Sequence, residues 1–128
     1  LYEREDAEAV AIHFYNYVPP STGPAREAQL RAFELAVSTV ASLCAHYTRQ
    51  EQRYSLHTLD GEVTEGAGPG QLQMVLRNLA LIEPRTELDA PALRIAPRGN
   101  RILVAPPGTP ASVLGRFDRV LAQTEKAA

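Results

Sequence analysis

The strongest constraint on this chain is the stretch from Glu27 to Arg49, EAQLRAFELAVSTVASLCAHYTR. Leu30, Phe33, Val37, Val40, Cys44 and Tyr47 recur at alternating steps of three and four, which places them on one face of an α-helix. Ala36 and Ala41 flank the stripe with small side chains, so the helix can lie close to a sheet. Glu27, Arg31, Glu34, His46 and Arg49 fall on the opposite side. Burying each large apolar side chain contributes about 1.5–3 kcal/mol, so a stripe of this kind needs a surface to cover it. Strand-like runs lie on either side, AVAIHFYN before and RYSLHTLD after. Strand, long helix, strand is the pattern of a βαβ unit. The predicted fold class is α/β: a mostly parallel sheet of three main strands with helices on both faces.

The rest of the chain extends this pattern. Ala9 to Asn16 is nearly continuous in apolar residues, as a strand covered on both faces requires. Val10, Ile12 and Phe14 share one of its faces; Ala11, His13 and Tyr15 share the other. Tyr17 to Pro24, YVPPSTGP, reads as a loop, and Gly23-Pro24 suits a helix start. Arg53 to Leu59 is the second strand. Asp60-Gly61 signals a two-residue hairpin, with Glu62-Val63-Thr64 as a short returning edge. The glycine-rich EGAGPG, Glu65 to Gly70, has neither phosphate-loop spacing and reads as a flexible turn.

Gln71 to Ile82 predicts a second helix that buries Leu72, Val75, Leu76, Leu79 and Ile82, and Pro84 ends it. Arg85 to Asn100 leaves a short helix or a covering loop open, with Leu88, Pro91, Leu93 and Ile95 as its apolar residues. Arg101 to Ala105, RILVA, is a third buried strand. After the turn Pro106 to Thr109, Thr109-Pro110 caps a last helix, Ala111 to Gln123, with Val113, Leu114, Phe117, Val120 and Leu121 facing in. The charged LYEREDAE at the start is a solvated lead-in, and Glu125 to Ala128 frays.

At 128 residues the chain suits one domain, residues 1–128. Thirteen basic and fifteen acidic residues give a formal charge of -2, without the basic surplus that draws a protein to nucleic acid or an anionic membrane surface. Neither partner is expected. Cys44 is the single cysteine, which excludes an internal disulfide; on the apolar stripe it reads as a small buried hydrophobe, not a reactive thiol. No apolar run approaches the roughly 20 residues that span a bilayer. The chain opens with Leu1 and shows no signal-peptide pattern, so it is expected to be a truncated piece of a longer protein.

Chemistry-bearing residues are few. His13 and His57 fall on strands that should be neighbours, with Asp60 and Asn16 nearby. They suggest a metal pair or a general base oriented by Asp60. The structural alternative, two strand histidines satisfied by hydrogen bonds, is the favoured one, since no nucleophile motif or third ligand accompanies them. Tyr15, Asn16 and Tyr17 lie near the carboxyl end of the first strand, where ligands and partners of open α/β sheets bind.

Two segments carry a resemblance: FELAVSTVASLCAHYTRQEQRYSLHTLDG, Phe33 to Gly61, and LQMVLRNLALIEP, Leu72 to Pro84. Together they resemble the bacterial family catalogued as domain of unknown function fifty-eight. Its members hold a domain similar to von Willebrand factor A and are often encoded beside MoxR-type AAA+ ATPases. The polar Glu51-Gln52 stands where such sequences commonly turn with glycine. The resemblance implies a von Willebrand factor A-like, Rossmann-type domain on the cytoplasmic side of a membrane-anchored parent. In that domain the first strand ends in D-x-S-x-S and helps to hold a divalent metal. Here Asn16 stands at the aspartate position, Val18 and Pro20 stand at the serines, and the third strand runs into Ala105-Pro106-Pro107. A hard cation needs oxygen ligands and charge compensation, so no metal and no cofactor is expected.

The leading functional expectation is therefore a non-catalytic protein-interaction module without the metal-dependent adhesion site, with a MoxR-type ATPase as the implied partner. Its contact surface is expected at the carboxyl edge, with Tyr17, Val18, Pro106 and Pro107 as partner-binding residues. One rival is a small hydrolase or metal-binding enzyme built on His13, His57 and Asp60. Another is a structural domain that packs on the rest of its own chain.

Overall fold

The computed structural model describes residues 9–87, 93–96, 100–117 and 119–122. The expected lead-in, the fraying tail, and Leu88 and Pro91 of the ambiguous segment lie outside the described residues. The protein is α/β, built on a five-stranded, mostly parallel sheet. Its central strand is β1 (Val10–Phe14), which pairs in parallel with β2 (Tyr54–Thr58) on one side and β4 (Asn100–Ala105) on the other. Beyond β2 lies the antiparallel β3 (Gly61–Gly66), and beyond β4 the parallel β5 (Arg119–Ala122). Thr58 pairs with Gly61, so the hairpin loop is Leu59-Asp60, one residue earlier than the Asp-Gly signal suggests. Gly61, at φ 148, adopts a backbone that other residues rarely take.

Every residue of β1 is buried, as its continuous apolar run predicts. Val10, Ile12 and Phe14 join Tyr54, Leu56, Ile102 and Val104 under the helices α1 (Gly23–Arg49) and α2 (Gly68–Ala80). The other face carries Leu59, Leu103 and Ala105, covered by Tyr17, Leu93 and Phe117. Helices on both faces were expected. Among the described residues, the only helix packed on this second face is the single turn α3 (Ala111–Leu114). Residues 93–96, in neither helix nor strand, add to this cover through Leu93 and Ile95.

In α1, Phe33, Val40 and Cys44 are buried as the stripe predicts, together with Ala32 and Ala36; Leu30, Val37 and Tyr47 are half-buried at its margins. Burial pushes the Cys44 thiol up to about 12, which keeps it protonated and inert. The helix ends in a tight Schellman closure. Glu51 N donates to Thr48 O at 3.0 Å, and Gln52 N donates to Tyr47 O at 2.9 Å. That geometry holds Glu51 at φ 58, the one positive φ outside glycine among the described residues.

The second helix starts at Gly68, earlier than Gln71. Gln71 is buried and functional in the fold: its Nε2 donates to Tyr54 O at 2.8 Å and Thr64 O at 2.9 Å. These bonds fill the irregularity in the β2–β3 ladder between Tyr54 and Leu56. Gly66 makes room for this, since a Cβ there would meet Gln71 Oε1 at 2.6 Å. Val75 and Leu79 are buried as expected, but Leu76 is 43 % exposed and Ile82 lies beyond the helix end. Gln71, Val75 and Leu79 follow steps of four, which turn Leu76 out of the contact.

The last helix is the clearest correction. It stops at Leu114, and residues 119–122 form β5 instead of continuing the helix. The spacing of Val113, Leu114, Phe117 and Val120 fits a helix, yet the open edge of β4 offers unpaired backbone groups that a strand satisfies. Phe117 packs edge-on against His13, and Leu121 is exposed.

Replacing Phe33, which packs on Phe14, is expected to remove about 3–5 kcal/mol of stability in Phe33→Ala, against a near-neutral Ser38→Ala on the exposed side. Glu51→Gly is expected to raise stability by up to about 1 kcal/mol by relieving the left-handed backbone. Urea titration of the three variants measures each change.

Candidate functional site

Two polar groupings stand out, one at the carboxyl edge of the strands and one on the second face. At the edge, the chain leaving β1 runs beside residues 83–87. Arg85 N donates to Asn16 O and Val18 N donates to Arg85 O, each at 2.8 Å, and Tyr17 and Arg85 form a parallel bridge. This pairing explains why Tyr17 and Val18, expected as exposed anchors, are 4 % and 1 % exposed. Their side chains enter the two cores on opposite sides of the sheet. Pro106 is buried too, and Pro107 is half-buried. Four residues expected to meet a partner are thus mostly interior.

Asn16 is fully buried and organises this edge. Its Oδ1 accepts from Leu59 N at 2.9 Å, and its Nδ2 donates to Asp60 Oδ2 at 2.9 Å and to Glu83 O at 3.1 Å. Arg85 Nη1 approaches Asp60 Oδ1 at 3.3 Å. The Asp60 carboxylate is therefore bonded by an amide and paired with a guanidinium. An aspartate in place of Asn16 would set a second carboxylate oxygen against Asp60 and the Glu83 carbonyl, a repulsion that a bound cation or a retained proton would have to relieve. Beside this cluster opens a cleft of about 380 Å³, lined by Asp60, Leu81, Glu83, Pro84, Arg85, Thr86 and Glu87. Arg85 Nε is buried and lacks a hydrogen-bond acceptor.

On the second face, parallel pairing puts His13 beside His57, as their strand positions imply. The rings stack at 4.7 Å with 17° between planes. Asp60 does not join them; it belongs to the edge cluster. His13 is completely buried with both nitrogens engaged. Nδ1 donates to Ile102 O at 3.3 Å, and Nε2 accepts from Ala96 N at 3.1 Å, which assigns the neutral Nδ1-protonated tautomer. Burial, followed by the neighbouring His57, lowers its pKa to about 4. His13 thus fixes residues 93–96 across the sheet and holds no free nitrogen for a metal.

His57 has different partners. Its Nε2 lies 2.8 Å from Ser55 Oγ, and its Nδ1 lies 3.2 Å from Glu62 Oε1. Ser55 and Glu62 escaped the sequence reading, although the signals were present. Ser55 and His57 are two apart on one strand and so share a face, and the hairpin places Glu62 directly opposite His57. Among the described residues, no group of three or more His, Cys, Asp or Glu side chains is placed to hold a metal ion. No described helix is long and apolar enough to cross a membrane.

No family model matches the chain, and no curated protein and no solved structure matches it either.

The His13 environment predicts an acid sensitivity. The unfolded chain takes up a proton near pH 6.5, whereas the native His13 resists it down to about 4. Stability from this group is complete above about pH 6.5 and falls as pH drops towards 4, where the native state accepts the proton as well. At about 1.4 kcal/mol per pH unit the loss reaches about 3 kcal/mol. Urea titrations at pH 7 and pH 4 are expected to show this loss, and His13→Leu is expected to reduce it.

Proposed function

We propose that this chain is a protein-interaction module of von Willebrand factor A-like type whose contact surface is the cleft at the carboxyl edge of the sheet. The carrying observation is Leu81, a large apolar side chain 78 % exposed on the rim of that cleft. Around it stand Asp60, Glu83, Arg85 and Glu87, an apolar anchor inside a charged rim, which is the composition of a binding patch. The unsatisfied Arg85 Nε is a buried donor that an inserted acceptor from a partner would complete. The location agrees with the rule that open α/β sheets bind at the carboxyl ends of their strands.

The resemblance of Phe33–Gly61 and Leu72–Pro84 to domain of unknown function fifty-eight supplies the partner class, a MoxR-type AAA+ ATPase. On the same ground the module works at the cytoplasmic side of a membrane-anchored parent. The Asn16–Asp60–Arg85 cluster supports a contact independent of metal, because the guanidinium provides the positive charge that a divalent ion would bring.

Capture of a MoxR-type ATPase from the same genome by the immobilised chain is expected to fall at least tenfold in Leu81→Asp and in Arg85→Glu. It is expected to survive Leu35→Asp, another exposed leucine, on α1 away from the edge. Equal capture by all variants, or none by the wild type, overturns the reading.

A further inference from the structure

The interaction surface leaves the second polar grouping unused. Ser55 Oγ, the two His57 nitrogens and a Glu62 carboxylate oxygen form one continuous chain of contacts, at 2.8 Å and 3.2 Å. We propose that Ser55 is a nucleophile, with His57 as its general base and Glu62 as the carboxylate that orients the ring, acting on small carboxylic esters. The proposal stands independently of the edge cleft.

Three features of the fold support it. The roles match the logic of an activated nucleophile: a hydroxyl on one imidazole nitrogen and a carboxylate on the other. With Nδ1 donating to Glu62, Nε2 is left to accept the Ser55 proton, and the carboxylate stabilises the imidazolium that results. Next, Ser55 lies opposite the ladder irregularity, in which β3 carries one extra residue between Val63 and Gly66, and such irregularities are common next to active sites. Lastly, Ser55, His57 and Glu62 all line an open cleft of about 270 Å³, whose other walls include Ala11, Glu65 and Ala96. Ser55 and His57 are each 8 % exposed, sheltered from bulk water yet on the cleft wall. The stacked His13 ring has no free nitrogen, so it limits where the His57 ring can turn without competing for the proton.

The cleft selects the substrate class. Its volume holds a short acyl group, its alanines suit an apolar one, and Glu62 and Glu65 disfavour an anionic leaving portion. In the reaction the Ser55 Oγ forms a bond to the ester carbon while its proton passes to His57 Nε2. Collapse of the tetrahedral intermediate breaks the ester C–O bond, and the imidazolium returns the proton to the departing alkoxide. Water, deprotonated by the same nitrogen, then attacks the acyl-serine carbon; the C–Oγ bond breaks, the imidazolium returns its proton to Ser55 Oγ, and the acid leaves.

A biotinylated alkyl fluorophosphonate tests the nucleophile directly. Ser55 would form an O–P bond, fluoride would leave, and His57 would take the hydroxyl proton. Intact-mass and peptide mapping of the labelled chain are expected to place one adduct on Ser55, absent in Ser55→Ala. His57→Gln is expected to slow labelling by about 100-fold or more. Glu62→Gln, at a half-exposed side chain where folding is secure, is expected to slow it by about tenfold, with partial recovery in Glu62→Asp. Melting curves confirm the fold of each variant, and Glu62→Gln alone carries the test should His57→Gln fail to fold. No adduct, an adduct elsewhere, or a rate unaffected by these substitutions overturns the proposal.

Discussion

The carboxyl edge of this protein depends on one amide. Asn16 sits at the end of the central strand with no exposure and bonds to the β2–β3 turn, to the turn's aspartate and to the chain beyond α2. Asparagine suits this place because it presents an acceptor and a donor at once. Its Oδ1 satisfies the Leu59 N–H while its Nδ2 faces acceptors on two other segments. Any residue lacking one of those functions would leave a buried group unpaired, which costs about 1–3 kcal/mol. The position of Asp60, and through it of Arg85, follows from this bond set.

The two faces of the sheet solve the burial problem differently. Under α1 and α2 the core is almost wholly apolar, with Phe14, Phe33, Tyr54 and Leu56 in contact. Tyr54 carries a hydroxyl into that region, but it meets Thr48 Oγ1 at 3.0 Å. On the second face, His13, Ser55 and His57 are buried as well, and every one has a named hydrogen-bond partner. A polar layer of this kind is stable only when its members are satisfied. The backbone N–H of Ala96 is as necessary to it as any side chain.

What could be read from the sequence divides along the same line. The α1 stripe and the parallel strands β1, β2 and β4 were legible because periodicity and apolar runs report faces that must be covered. Asn16 and the adjacency of His13 and His57 were legible as positions, since parallel pairing of β1 and β2 follows from the βαβ pattern. Their bonding was not legible, because Ile102, Glu83 and Ala96 reach these side chains from far along the chain. Tyr17 and Val18 were misjudged for that reason: a proline-flanked loop looks exposed until residues 83–87 pair with it. The last segment was misjudged because helical spacing competes with an open strand edge, and only the tertiary structure shows that edge.

Strand order carries a consequence for biosynthesis. The central strand β1 precedes all its neighbours in the chain, and its two partners are β2 and β4. On a ribosome, β1 would emerge with both edges bare. It would gain one neighbour only after the whole of α1, and the other only once Asn100–Ala105 had left the exit tunnel. His13 itself waits for Ile102, a separation of 89 residues. Ordering pairs that distant is slow, and an apolar, unpaired strand invites association between nascent chains. That side of the central strand therefore stays unpaired until β4 is made. Synonymous codon changes that slow elongation between Arg49 and Asn100 would lengthen that exposure without altering a single residue.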